Sequence, residues 1–204
     1  MRKMFVWLLV LVMCLGAMAP AGLSEVIGSV DIDENISAMA TLLDSVYLAV
    51  KDPGSYESTD EELIWSALYL MSVNWAYDDP LAVLSDTTIS MPSALLAAYG
   101  EAMFTEFTGL PEIPAAAVSA GTILYNAEID TYAFALSDRG DSYTHIDDCL
   151  MLDDGSLLVT IGLYAFGSDD SEKIDELSFI MVENAEKAYG ELSLSYRIVS
   201  PSWG

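Results

Sequence analysis

Apolar residues recur every three to four positions through the first half of the chain. From Asp31 onward, Ile36, Met39, Leu42, Leu43, Val46 and Ala49 form one stripe, which Asp52-Pro53-Gly54 stops. Ser58 and Thr59 each stand three residues before a glutamate, Glu61 and Glu62, which is capping-box spacing. They open a second stripe through Leu63, Ile64, Ala67, Leu68, Met71 and Trp75, ending near Asp78-Asp79-Pro80. A third starts at Ser90 with Pro92 in its first turn, carries Leu95, Leu96, Tyr99, Met103, Phe104 and Phe107, and stops at Gly109 and Pro111. Gly100 inside that stripe costs a helix ~1 kcal/mol against alanine.

Beyond residue 130 the period changes to two. Tyr132, Phe134 and Leu136 alternate with smaller residues, as do Leu157, Val159, Ile161 and Leu163, and then Leu192, Leu194, Tyr196 and Ile198. Between them lie SYTHIDDCLML and ELSFIMVEN, and Asp154-Gly155 between apolar runs predicts a hairpin. The pattern predicts an α+β fold. About three helices over 31–109 are followed by, and packed on, a curved antiparallel sheet of four to five meander strands over 130–200. No linker divides residues 22–204, so one domain is expected.

That element order resembles the NTF2-like and cystatin-like families, and the acidic body behind an export signal resembles small exported proteins of Gram-positive bacteria. The resemblance implies helices filling the concave side of a twisted sheet, with a cavity between them. It is one of element order, so it carries over no functional residue.

Arg2 and Lys3, the apolar run Phe5–Leu15 and the small residues Gly16–Ala21 have the order of a secretory signal peptide, with cleavage expected after Ala21. The run is too short to span a bilayer of ~30 Å as a helix. Leu11-Val12-Met13-Cys14 is a poor lipidation motif because Met13 stands where a small residue is needed. A secreted, extracellular protein is the expectation. The full chain carries a formal net charge of −25. After cleavage Lys51, Arg139, Lys173, Lys187 and Arg197 face all 32 acids, a formal charge of −27. Five scattered cations cannot build a nucleic-acid groove or hold an anionic membrane. Cys149 stands alone in the exported chain, so no internal disulfide forms.

SDRGDSYTHIDDC (137–149) gathers the single histidine, a cysteine and an Arg139-Gly140-Asp141 tripeptide. The tripeptide falls where a hairpin needs a turn. His145, Asp147 and Cys149 would share one face of a regular strand, with neighbours ~7 Å apart, beyond hydrogen-bond reach for a thiol–imidazole pair. Calcium is the metal the acidic turns admit, through Asp153 and Asp154 together with Asp169 and Asp170. The EF-hand-like start at Asp31 fails, because Ile36 and Leu42 stand where glycine and glutamate are required. Trp65, Tyr69, Trp75 and Tyr99 are the candidate pocket aromatics, since their polar atoms make them poorer core fillers than leucine.

Glycine-rich phosphate loops, nucleophile elbows and metal-ligand clusters are missing from the sequence, and catalysis is not expected. Two functions compete. A non-catalytic binding or accessory domain for an extracellular partner would show an exposed apolar patch. A small-ligand domain of NTF2-like type would show a cavity lined by helix aromatics and one or two carboxylates.

Overall fold

Each apolar stripe does fold as helix, but the caps and boundaries are set by contacts along and across the chain. The structure, a computed structural model, describes residues 24–50, 56–137, 142–165, 173–184, 188–189 and 192–202. The signal segment 1–21 and the Arg139-Gly140-Asp141 turn lie outside them. The first stripe forms α1 (Glu34–Ser37) and α2 (Ala40–Ala49), with Asp33 accepting the Ile36 amide at 2.9 Å as the cap. The second is α3 (Glu61–Trp75). Its cap is Asp60, whose Oδ1 accepts the Glu62 and Leu63 amides at 2.9 and 3.2 Å, and not Ser58 or Thr59. Ser58 donates instead to Glu106.

The third helix, α4 (Ser93–Met103), starts later than its stripe. Thr88–Pro92 is a strand, because Ile89 and Met91 alternate into the core opposite Phe134 and Tyr132. Gly100 has a packing reason: a Cβ there would meet the Phe107 ring at 2.6 Å, where the chain folds back onto α4. A further short helix, α5 (Ala115–Ala120), begins after Pro114 and ends at Gly121, which takes the left-handed conformation at φ +69°.

Two antiparallel sheets form, where one was expected, and strands precede and interrupt the helices. The first sheet contains β1 (Val26–Ser29), β6 (Ser142–Leu152), β7 (Leu157–Ala165), β8 (Lys173–Glu183) and β11 (Tyr196–Ser202), in the order β1-β6-β7-β8-β11. The second contains β2 (Val83–Leu84), β3 (Thr88–Pro92), β4 (Ile123–Asn126) and β5 (Thr131–Ala135), in the order β2-β3-β5-β4. The strand of Tyr132 and Phe134 joins this second sheet. Alternation marks which face of a strand is buried, not which strand lies beside it, so sequence pattern could not assign that pairing. The final predicted strand also divides. Leu192–Ser193 (β10) pairs with Ala188–Tyr189 (β9), and β11 starts at Tyr196.

In the five-stranded sheet, Leu157, Val159 and Ile161 of β7 are buried and face Met181, Phe179 and Leu177 of β8. On the other face Thr160 and Ser178 share a hydrogen bond of 2.8 Å. The helices lie between the sheets: α2 packs on β6, α3 on β3 and β5, and α4 on both β3 and β11. One buried cluster therefore runs from Phe134 through Trp65, Leu68 and Leu43 to Val159 and Phe179. Among the described residues, no helix is long and apolar enough to cross a membrane.

Candidate functional site

Glu62, Trp65, Ser66, Tyr69 and Leu70 fall at i, i+3, i+4, i+7 and i+8 of α3, one face of a 3.6-residue helix. That face forms one wall of an open cleft of about 420 Å³. Leu48 and Ala49 at the end of α2 form a second wall, and Pro114, Ala116, Ala117, Thr122 and Ile123 a third. The third wall exists because Pro114 starts α5 and Gly121 turns the chain out of it into β4.

The aromatic side chains of the cleft are held rigidly. Trp65 is 2% exposed, donates Nε1–H to the Glu112 carbonyl at 3.0 Å and packs against Tyr132 at 5.2 Å between ring centroids. Tyr69 donates its hydroxyl to the Ala135 carbonyl at 2.9 Å. With their polar atoms engaged, the two rings offer apolar surface to the cleft. A smaller cavity of about 110 Å³ adjoins it, sharing Ala49, Glu62 and Ser66 and adding Val50, Tyr56, Asp60 and Leu63. The Tyr56 ring stacks on Phe104, and its hydroxyl is buried without a hydrogen-bond partner. Burial, and then the nearby Glu106 carboxylate, push that phenol well above its usual range.

Of the four aromatics singled out in the sequence, Trp65 and Tyr69 meet in this cleft, whereas Trp75 and Tyr99 are not among its lining residues. Trp75 donates Nε1–H to Asp44 at 2.8 Å, and Asp44, fully buried in α2, also accepts the Thr144 hydroxyl at 2.6 Å. Tyr99 donates to Asp79 at 3.0 Å; burial and then that carboxylate raise its pKa. The wall at 114–123 went unread in the sequence, although Pro114 and Gly121 bracket it with helix start and stop signals.

Asp153 and Asp154 close the β6–β7 hairpin, where Gly155 takes φ +85°. Their carboxylates are engaged: Asp153 accepts the Glu25 amide, and Asp154 accepts the Ser156 amide and the hydroxyls of Ser156 and Ser24. These bonds hold the start of β1 and lower the Asp154 pKa. Asp169 and Asp170 lie outside the described residues. Their segment leaves from Ala165 and returns at Lys173, at the other end of β7, which its nine residues place ~30 Å from Asp154. The geometry does not unite the two acidic turns. Among the described residues, no group of three or more histidine, cysteine, aspartate or glutamate side chains is arranged to hold a metal.

The strand of His145 is not regular. β6 carries a register shift between Ile146 and Asp148, leaving Asp147 unpaired with β7. Before it Thr144 and Ile146 face the core; after it Cys149 does, at 1% exposure. His145 therefore stands on the outer face while the Cys149 thiol is buried on the inner one, which corrects the shared face expected from alternation. On that outer face Asp147 accepts Tyr164 at 2.8 Å, Lys173 at 2.8 Å and His145 at 3.2 Å. Burial pushes the Asp147 carboxyl up, but the bonds from Lys173, Tyr164 and His145 outweigh it and hold the pKa below the usual value. Lys173 also reaches Glu176 at 2.6 Å. In comparison with known proteins, no family model matches the chain, and neither a curated protein nor a solved structure is similar to it.

Proposed function

We propose that this chain is an exported, non-catalytic binding domain that holds a small ligand in the cleft beside α3. The cleft itself carries the reading. Its volume of about 420 Å³ falls within the ~300–1,000 Å³ of small-molecule sites, and its walls are aromatic and aliphatic with few polar groups at the edge. Trp65 and Tyr69 are locked by backbone partners, so the apolar surface is in place before a ligand arrives. The export signal at residues 1–21 and the scarcity of cations in the exported chain support an extracellular or envelope setting and argue against nucleic acid as the ligand.

Titration with the neutral fluorescent probe N-phenyl-1-naphthylamine tests this reading. Saturable one-site binding is expected, with loss in Ala117→Trp, whose indole fills the cleft from α5. Binding that is absent, or untouched by Ala117→Trp in a variant that melts like the wild type, refutes it.

A second reading, an extracellular protein partner, is favoured by the segment Trp75–Leu84. There Trp75, Tyr77, Leu81, Val83 and Leu84 are all exposed, the last two on an edge strand. The double variant V83K/L84K separates the two readings. It should leave probe binding intact and, if a partner docks here, change the protein's association with the cell envelope.

A further inference from the structure

We propose that the ligand of the cleft is an apolar amine, a small molecule with an aliphatic or aromatic body and one protonated amino group. The inference rests on the small-ligand reading above and narrows its chemistry. The body fits the larger lobe, where Trp65, Tyr69, Leu70 and Ile123 present apolar surface. Neither ring there offers a free donor or acceptor, so this lobe does not discriminate a polar body by hydrogen bonding.

The head is selected where the two lobes meet. Glu62 lines both, and Asp60 lines the smaller one beside it. Asp60 commits Oδ1 to the α3 amides, which leaves Oδ2, and no hydrogen bond or ion pair engages the Glu62 carboxylate. No lysine, arginine or histidine is among the described lining residues of either lobe. Two carboxylates without a cation beside them repel a carboxylate or phosphate head and attract an ammonium, and the −25 formal charge of the whole chain acts in the same sense. The smaller lobe adds Tyr56, whose ring can face a cation and whose buried hydroxyl has no protein partner. At about 110 Å³ that lobe takes an amino group with its adjoining methylenes, not a second ring.

Three probes of one skeleton, 4-phenylbutylamine, 4-phenylbutanol and 4-phenylbutanoate, are titrated by calorimetry into the purified protein and its Glu62→Gln, Asp60→Asn and Ala117→Trp variants. Asparagine caps helices as well as aspartate does, so Asp60→Asn removes charge while keeping α3. The amine is expected to bind about tenfold or more tighter than the alcohol, the size of a charge-assisted hydrogen bond, and the carboxylate weakest. Glu62→Gln should cut the amine's advantage to about threefold or less, with smaller loss in Asp60→Asn, and Ala117→Trp should abolish binding of every probe. Equal binding of amine and alcohol, both lost in Ala117→Trp, overturns the amine while the cleft reading survives. An amine advantage unchanged in both charge variants also overturns it, since the general field of an acidic protein then suffices. Failure of every probe to bind overturns the inference and the cleft reading together.

Discussion

Replacing Asp44 tests how the layers beside the cleft are joined. This fully buried carboxylate in α2 accepts Trp75 Nε1–H from the end of α3 at 2.8 Å and the Thr144 hydroxyl from β6 at 2.6 Å, so one side chain ties two helices to a sheet. A hydrogen bond to a charged acceptor is worth ~1.5–3 kcal/mol net, so Asp44→Ala forfeits roughly twice that. Two effects offset the loss. The buried carboxylate no longer has to be desolvated, and Trp75, 38% exposed, regains water for its indole. A net destabilisation of ~2–3 kcal/mol remains, a fall of ~4–10 °C in melting temperature for a chain of this size. Thr144→Val removes one of the two donors and should cost ~1–2 kcal/mol. Because both changes break one shared bond, the double variant should be less destabilised than the sum by ~1 kcal/mol. Urea unfolding followed by far-UV dichroism and Trp fluorescence measures all three. An Asp44→Ala variant within ~0.5 kcal/mol of the wild type, the spread of neutral surface changes, would refute the reasoning.

Three further outcomes follow from the outer face and the hairpin. The Asp147 pKa lies lower in the folded chain than in the unfolded one, so its contribution to stability is present above the unfolded value near 4 and lost as pH falls through the folded one. The urea midpoint of Asp147→Asn should therefore trail the wild type at pH 6 and converge with it below pH ~3; a gap that widens in acid would contradict this. At Gly162 a Cβ would run into the Asp147 carboxylate and lie 2.7 Å from the Tyr164 ring, so Gly162→Ala should displace both. The loss of the depressed Asp147 pKa, followed by carboxyl NMR titration, is the readout. Asp154→Ala frees Ser24 and Ser156, and amide exchange across Val26–Ser29 should accelerate at least severalfold while β7 and β8 keep their protection. Equal exchange in β1 would mean that its pairing with β6 holds it without the aspartate.

Much of the architecture was legible in local pattern. The stripe of α3 and the alternation of Leu157, Val159 and Ile161 each report a face that must be buried, and period alone separates helix from strand. Asp154-Gly155 marked its hairpin because glycine is needed where φ is positive. Half of the candidate site followed for the same reason, since Trp65 and Tyr69 share one helix face by spacing.

Tertiary contact decided the rest. Thr88–Pro92 reads as the first turn of a helix until β5 lies beside it to accept its ladder. Whether Tyr132 and Phe134 extend the large sheet or found a second one depends on partners distant in sequence. A single bulge residue, Asp147, inverts which side chains of β6 face the core, and no local composition announces it. The cleft needs three walls from segments 48–49, 62–70 and 114–123, and Glu62 acquires its meaning only where two lobes meet. Periodicity is a property of neighbours along the chain and is written into it. Pairing, register and concavity arise when remote segments exclude water from one another, and these the fold alone determines.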